Sequence, residues 1–215
     1  MSSTNRSNSR VGHISDYYIT PKEPITQFLN AFIDIESICT SDELCILDPC
    51  AGGSIKIEKN SIGTMFSMPY PVVLNSFGYR SISTNDIRED SPAKNHCDYL
   101  NSEWGNFDII ISNPPFNLAQ EFILKGLHDV SENGFVIFLL RLNFFGSQQR
   151  KPFFKDYMPK YCFIHSKRIS FFPEDMILED KIYKKGSTDS IEYAHYVWQE
   201  GYKEKRGGYR DIYKG

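Results

Sequence analysis

Three short stretches carry residue types suited to chemistry: Asp48-Pro49-Cys50-Ala51-Gly52-Gly53-Ser54, Asn85-Asp86 and Asn113-Pro114-Pro115-Phe116. In the last, two prolines fix the backbone and remove two N–H donors, so the carbonyl of residue 114 is free to face a ligand. The Asn113 side-chain oxygen supplies a second acceptor beside it. Two convergent acceptors suit a primary amine with two N–H donors, and Phe116 offers a flat face for a planar ring to stack on. The glycines of the first stretch let a ligand lie against backbone. Asp86 can accept hydrogen bonds from sugar hydroxyls. Taken alone, the glycines also fit an ordinary turn and Asp86 an ordinary helix cap. The third stretch is the more specific of the three.

These residues need elements to position them. Short apolar strands are expected at Cys45–Leu47, Arg80–Thr84, Phe107–Ser112, Phe135–Leu140, Tyr161–His165 and Tyr193–Trp198. A helix should follow Pro21, with Pro24 in its first turn and Ile25, Phe28, Leu29 and Phe32 on one face. A second, around Pro71 to Phe77, should stop at Gly78, and a third carries Leu118, Phe122, Gly126 and Leu127. Residues 55–68 resist assignment and read as an insertion. That insertion accounts for the 38 residues separating Asp48 from Asp86, against roughly 20 in a simple nucleotide-binding unit. Helices alternating with largely apolar strands predict an α/β fold with a mostly parallel sheet covered on both faces. All three motifs then follow strand ends, where open α/β sheets bind ligands.

With that order in place, the chain resembles the S-adenosylmethionine-dependent amino-methyltransferases, especially the small phage-type adenine-N6 DNA enzymes. Asp48-Pro-Cys-Ala-Gly and Asn113-Pro-Pro-Phe116 look like their cofactor and catalytic motifs, and Tyr18-Ile-Thr-Pro21 like the segment preceding the glycine loop. Arg168-Ile-Ser-Phe-Phe172 and Tyr193-Ala-His-Tyr-Val-Trp198 resemble their late segment. The resemblance runs from Asp16 to Trp198. It implies a Rossmann-like class I methyltransferase fold with a seven-stranded sheet. It places S-adenosylmethionine against Tyr18, Thr20, Pro21, Asp48, Pro49, Cys50, Ala51, Gly52, Asp86, Ile87, Asp98 and Tyr99. Asn113, Pro114, Pro115 and Phe116 become the catalytic residues. Where the family often has a further glycine, this chain has Ser54.

Adenine in DNA is the implied substrate, and its base must be flipped out or single-stranded. RNA adenine is the nearest alternative, protein glutamine presents a similar planar amide, and a non-catalytic nucleic-acid-binding subunit is a reading from another class. Net charge is −3, but Arg141 to Arg168 holds seven basic residues against one acid, and Gly201 to Gly215 five against two. Segregated charge of this kind can give an acidic protein an electropositive face. Arg150, Lys151, Arg168, Lys203, Lys205 and Arg206 are the candidate phosphate contacts, and Phe171 a candidate to close over the base. The expected organisation is a disordered tail at 1–15, one methyltransferase domain at 16–200 and a basic tail at 201–215. A recognition domain has no room after Trp198, so target readout is expected to be loose or to need a specificity subunit. Five irregularly spaced cysteines suit a reducing compartment and no zinc site. No run is long enough to span a membrane, so the expected location is cytoplasmic.

Overall fold

A computed structural model describes residues 18–38, 43–58, 61–173 and 191–203. The predicted N-terminal tail, Lys205, Arg206 and most of the basic C-terminal segment lie outside the described residues. In chain order the elements are β1 (Tyr18–Ile19), α1 (Lys22–Glu36), β2 (Ile46–Asp48), β3 (Ser54–Glu58), β4 (Ser61–Phe66) and α2 (Pro69–Ser76). Then come β5 (Ile82–Thr84), β6 (Phe107–Ser112), α3 (Ala119–Asp129), β7 (Val130–Arg141), α4 (Lys151–Asp156), β8 (Tyr161–Ile164), β9 (Phe172–Pro173) and β10 (Tyr193–Gln199).

The main sheet has the order β5-β2-β6-β7-β10-β8. Strands β5, β2, β6 and β7 run parallel, and β10 is antiparallel to both of its neighbours, β7 and β8. Six strands are present among the described residues where seven are expected. At the free edge of β5 the pairing reduces to one parallel bridge, Asn85 to Asn95. There Asn95 N–H reaches the Thr84 carbonyl and its own carbonyl takes Asp86 N–H, and beyond it the Asn85 side chain, in place of backbone, meets the Cys97 N–H and carbonyl.

Side chains alternate across the strands as a two-residue period requires. Ile109, Ile111, Phe135, Ile137 and Val197 pack under α1 and α2, whereas Ile110, Val136, Phe138, Leu140, Tyr196 and Trp198 pack under α3 and α4. The helices thus cover both faces. In α1 the four residues expected on one face, Ile25, Phe28, Leu29 and Phe32, are all buried. Burying each such side chain contributes about 1.5–3 kcal/mol. Ser37 ends α1 in the left-handed region, and Gly78, with φ 97°, follows α2 as expected.

Residues 54–66 are the unexpected part. They form the antiparallel hairpin β3–β4, which stands between the glycine stretch and α2. Ile55 N–H bonds the Asp90 carbonyl, tying the hairpin to the segment after β5. A second two-stranded ribbon pairs β1 with β9, Tyr18 opposite Pro173 and Ile19 opposite Phe172. It brings the Tyr18-Ile-Thr-Pro21 segment beside the late segment.

Candidate active site

Because β2, β5 and β6 are parallel, Asp48, Asp86 and Asn113 emerge at the same edge of the sheet. Asp48 is the last residue of β2 and fully buried. Its Oδ1 accepts the Ser112 hydroxyl at 2.6 Å and the Cys50 N–H at 3.2 Å. Its Oδ2 is buried with no hydrogen-bond partner. Burial pushes this carboxyl up to about 8, opposed by the bonds from Ser112 and Cys50 and reinforced by nearby Asp86. Ser112, a residue the sequence reading passes over, also accepts the Cys50 N–H at 3.2 Å and so joins the ends of β2 and β6. Burial, followed by Asp48 and Asp86, pushes the Cys50 thiol well up, which keeps it protonated.

The glycine loop is held almost entirely by the segment after β5. Ala51 N–H bonds the Asn85 carbonyl at 2.8 Å, and the Asn85 side chain donates to the Pro49 carbonyl at 3.1 Å. Gly52 N–H bonds Asp86 Oδ2 at 2.8 Å, and the Ser91 hydroxyl donates to the Gly52 carbonyl at 2.6 Å. The Arg88 guanidinium donates to the Gly53 carbonyl and pairs with Asp86 at 3.4 Å. Gly52 and Gly53 have φ of 65° and 75°, a region side chains avoid. A Cβ on Gly53 would also sit 2.9 Å from the Phe66 carbonyl and the Pro92 ring. The chain then enters β3, starting at Ser54, and not a helix.

Asp86 is buried and acts as a brace of the loop as well as a candidate sugar ligand: Oδ2 holds Gly52, and Oδ1 accepts Arg88 N–H at 3.0 Å. Ile87, next to it, is 52% exposed, an apolar surface at the rim of the loop. Two further expected cofactor contacts are Asp98 and Tyr99. Asp98 caps the turn Tyr99–Asn101, its oxygens taken by Leu100 N–H at 3.1 Å and the Asn101 amide at 2.6 Å. Tyr99 turns into the core, where its ring stacks on Phe122 with centroids 5.4 Å apart. Apolar burial of a large ring prevails there over exposure at the rim.

Asn113 follows β6 directly. Its Nδ2 donates to Thr20 Oγ1 at 3.0 Å, which leaves Oδ1 pointing away from that contact, buried and without a partner. Thr20 is itself buried and sits between β1 and α1, beside Pro21. Pro115 carbonyl takes the Leu118 N–H, while no donor reaches the Pro114 carbonyl among the described residues. Phe116 lies in an aromatic wall: its centroid is 5.7 Å from that of Tyr193, which meets Phe171 edge-on at 4.9 Å. The Arg141 guanidinium lies over the Phe116 ring, 5.0 Å from its centroid.

The basic candidates separate. Arg168, exposed, pairs with Glu192 at 3.4 Å, and Lys151 opens α4. Arg150 is tied down, its Nε donating to the Phe144 carbonyl at 2.7 Å. Lys203 follows the far end of β10, whose Tyr193 is opposite Arg141 and whose Gln199 is opposite Phe135. It therefore leaves the sheet at the edge opposite Asn113. The cause is the antiparallel run of β10, which the charge count does not reveal.

Among the described residues, no group of three or more His, Cys, Asp or Glu side chains is arranged to hold a metal ion, and no helix is long and apolar enough to cross a membrane.

No protein-family model matches the chain, and no curated protein matches it by sequence. Solved structures do match in fold. One, assigned as a class I S-adenosylmethionine-dependent methyltransferase from Listeria monocytogenes, superposes with a TM-score of 0.50 at 16% identity over 85% of this chain and 60% of that one. Another, from Pyrococcus horikoshii and assigned as an RNA methyltransferase, gives 0.52 at 12% identity, over 86% of this chain and 85% of its own. The type IIG restriction endonuclease BpuSI gives 0.56 at 12% identity, over 88% of this chain and 26% of its own. The chain thus spans less than two thirds of the Listeria protein and about a quarter of BpuSI. At such identities the likeness establishes the fold, the Rossmann-like fold of class I methyltransferases.

Proposed function

We propose that this chain transfers a methyl group from S-adenosylmethionine to the exocyclic amino nitrogen of adenine in DNA. The observation that carries the reading is the Asn113 amide: Thr20 engages its nitrogen, and its oxygen is buried with no partner. A buried acceptor left unsatisfied costs about 1–3 kcal/mol, so its retention at a strand end points to a donor brought by a ligand. The second orphaned acceptor, Asp48 Oδ2, lies at the end of the adjacent strand and suits a cationic group.

These residues fit the cofactor. Asp48 would meet positive charge, the glycine loop would admit close approach, Asp86 retains lone pairs for ribose hydroxyls, and Ile87 offers an apolar face to a purine. Bound there, S-adenosylmethionine supplies a methyl carbon activated by its sulfonium. The protein's part is to prepare the amine. Asn113 Oδ1 and the Pro114 carbonyl accept the two N–H bonds and draw them out of the conjugated plane, which turns the nitrogen lone pair toward the methyl. Methyl supply from the sulfonium would leave a neutral thioether, and the methylated amine would release one N–H proton to solvent. Phe116 and Phe171 hold the base plane. Orientation and preorganised acceptors carry the acceleration.

The test is to incubate the protein with labelled S-adenosylmethionine and DNA, RNA or a glutamine-containing peptide, and to identify the modified product. N6-methyladenine in DNA is expected. Asn113→Ala should reduce turnover at least about 100-fold, the loss typical of one transition-state donor or acceptor, with cofactor affinity nearly unchanged. Methylation confined to RNA or glutamine would overturn the substrate, and retained turnover in Asn113→Ala the mechanism.

A further inference from the structure

Five arginines lie among the described residues, and four of them have protein acceptors. Arg80 donates to the Asn75 carbonyl, Arg88 pairs with Asp86, Arg150 reaches the Phe144 carbonyl and Arg168 pairs with Glu192. Arg141 has none: its Nε is buried without a hydrogen-bond partner, and no carboxylate among the described residues pairs with it. Its one polar contact is the Phe116 ring beneath the guanidinium. A guanidinium carries five N–H donors and its charge at every relevant pH. Leaving it partly buried with no acceptor is unfavourable unless an anion completes it.

The position identifies the anion. Arg141 is the last residue of β7, and Ser112, the last of β6, is opposite Phe138. Arg141 therefore overhangs the Asn113-Pro-Pro-Phe116 turn by three residues, about 10 Å at the usual strand rise. The order β5-β2-β6-β7 puts it on the side of Asn113 away from the glycine loop, two strands or about 10 Å sideways from Asp48 and further along the strand direction. An anion there accompanies the substrate, because the cofactor's place is at β2 and β5.

Resting on the adenine reading above, we infer that Arg141 binds the backbone phosphate flanking the target nucleotide, held over Phe116 so that its donors face the phosphate while the base reaches Asn113. The site would then require a polynucleotide: a protein glutamine offers no anion at that distance, and a free nucleoside has none.

The experiment uses the full chain and short adenine-containing oligonucleotides, with a neutral methylphosphonate replacing the phosphate 5′ or 3′ of the target. One of these replacements should lower kcat/KM of the wild type about 10- to 100-fold, the loss of a charge-assisted hydrogen-bond pair. The same replacement should change Arg141→Gln less than about 2-fold, with Arg141→Lys intermediate because it keeps the charge without the fork. Oligonucleotide affinity by fluorescence anisotropy should follow the same pattern, and S-adenosylmethionine affinity by calorimetry should be equal in all three proteins. The inference is overturned if neither replacement slows the wild type, if Arg141→Gln is slowed as much, or if Arg141→Gln binds the cofactor weakly, which would assign the arginine to the cofactor's carboxylate. If no oligonucleotide is methylated at all, the adenine reading falls and takes this one with it. Methylation with an unchanged phosphate response removes this inference alone.

Discussion

On the proposed function, the buried carboxyl of Asp48 ties cofactor binding to a proton. With its ionisation pushed up to about 8, about nine tenths of the ligand-free molecules carry the protonated form at pH 7. S-adenosylmethionine brings a sulfonium and an ammonium, and a cation within reach of a carboxyl lowers its pKa by about 1–3 units. A drop of about 2 units would release about 0.8 proton per cofactor bound at pH 7, and affinity would rise about 25-fold from pH 6 to pH 8. Calorimetry in two buffers of equal pH and different ionisation enthalpy reads the proton count directly. Asp48→Asn keeps the shape and the Ser112 contact but cannot titrate, so any proton release from the cofactor's own amine remains in it and is subtracted. The fold itself carries the opposite sign. An acid whose folded pKa is raised stabilises most below its unfolded value near 4, and that contribution is lost as pH rises through about 8. Asp48→Asn should therefore raise the melting temperature of the ligand-free protein more at pH 8 than at pH 5. Equal proton release in wild type and Asp48→Asn, or affinity that falls as pH rises from 6 to 8, would refute the assignment.

Two more predictions concern Thr20, beside the candidate site, and His195, in the core. Thr20→Val removes the partner of the Asn113 amide nitrogen and should lower kcat roughly 3- to 10-fold, the worth of one hydrogen bond, with KM for the cofactor unchanged and Thr20→Ser restoring the rate; a Thr20→Ser rate no better than that of Thr20→Val would mean that packing is the cause. His195 is fully buried, stacked on Phe28 and bonded to Tyr70 at 2.9 Å and His165 at 2.7 Å, and burial holds both imidazoles below their ordinary range. Their neutral forms stabilise the fold above about 6.5, and that contribution is lost as pH falls below it, so the melting temperature should drop between pH 7 and 5, and less in His195→Gln, by scanning calorimetry.

The elements that place the site are legible where a periodic pattern is long enough to speak. Strand β6 runs over the residues its apolar character indicates, and α1 buries the four residues its 3.6-residue spacing selects. The hairpin at 54–66 escapes and reads only as an unassigned insertion, although Ile55-Lys56-Ile57-Glu58 alternates and Asn60 precedes a second alternating run; each run is too short to speak for a strand by itself. The two-residue ribbon β1–β9 has no periodicity to read. At the site, Asp48 and Asn113 are identifiable by residue type and neighbours. What marks them in the structure is not: the vacant oxygen on each accompanies bonds to Ser112 and Thr20, made across 64 and 93 residues of chain. Arg141 enters the sequence reading only as one member of a basic run, since a basic residue ending a strand normally reads as solvated.

The bracing of the glycine loop by residues 85–91 has a consequence for how this region opens. Ala51, Gly52 and Gly53 have no helix to lean on, and their partners Asn85, Asp86, Arg88 and Ser91 sit just past an edge strand of three residues. Loop and edge therefore form one cooperative unit, lost or kept together in any local unfolding. The Gly52 amide then becomes a reporter for the whole loop-and-edge half of the candidate site. Its hydrogen exchange measures how often that half dissolves while the core under β6 and β7 stays intact, and a ligand contacting either Asp48 or Asp86 protects both at once.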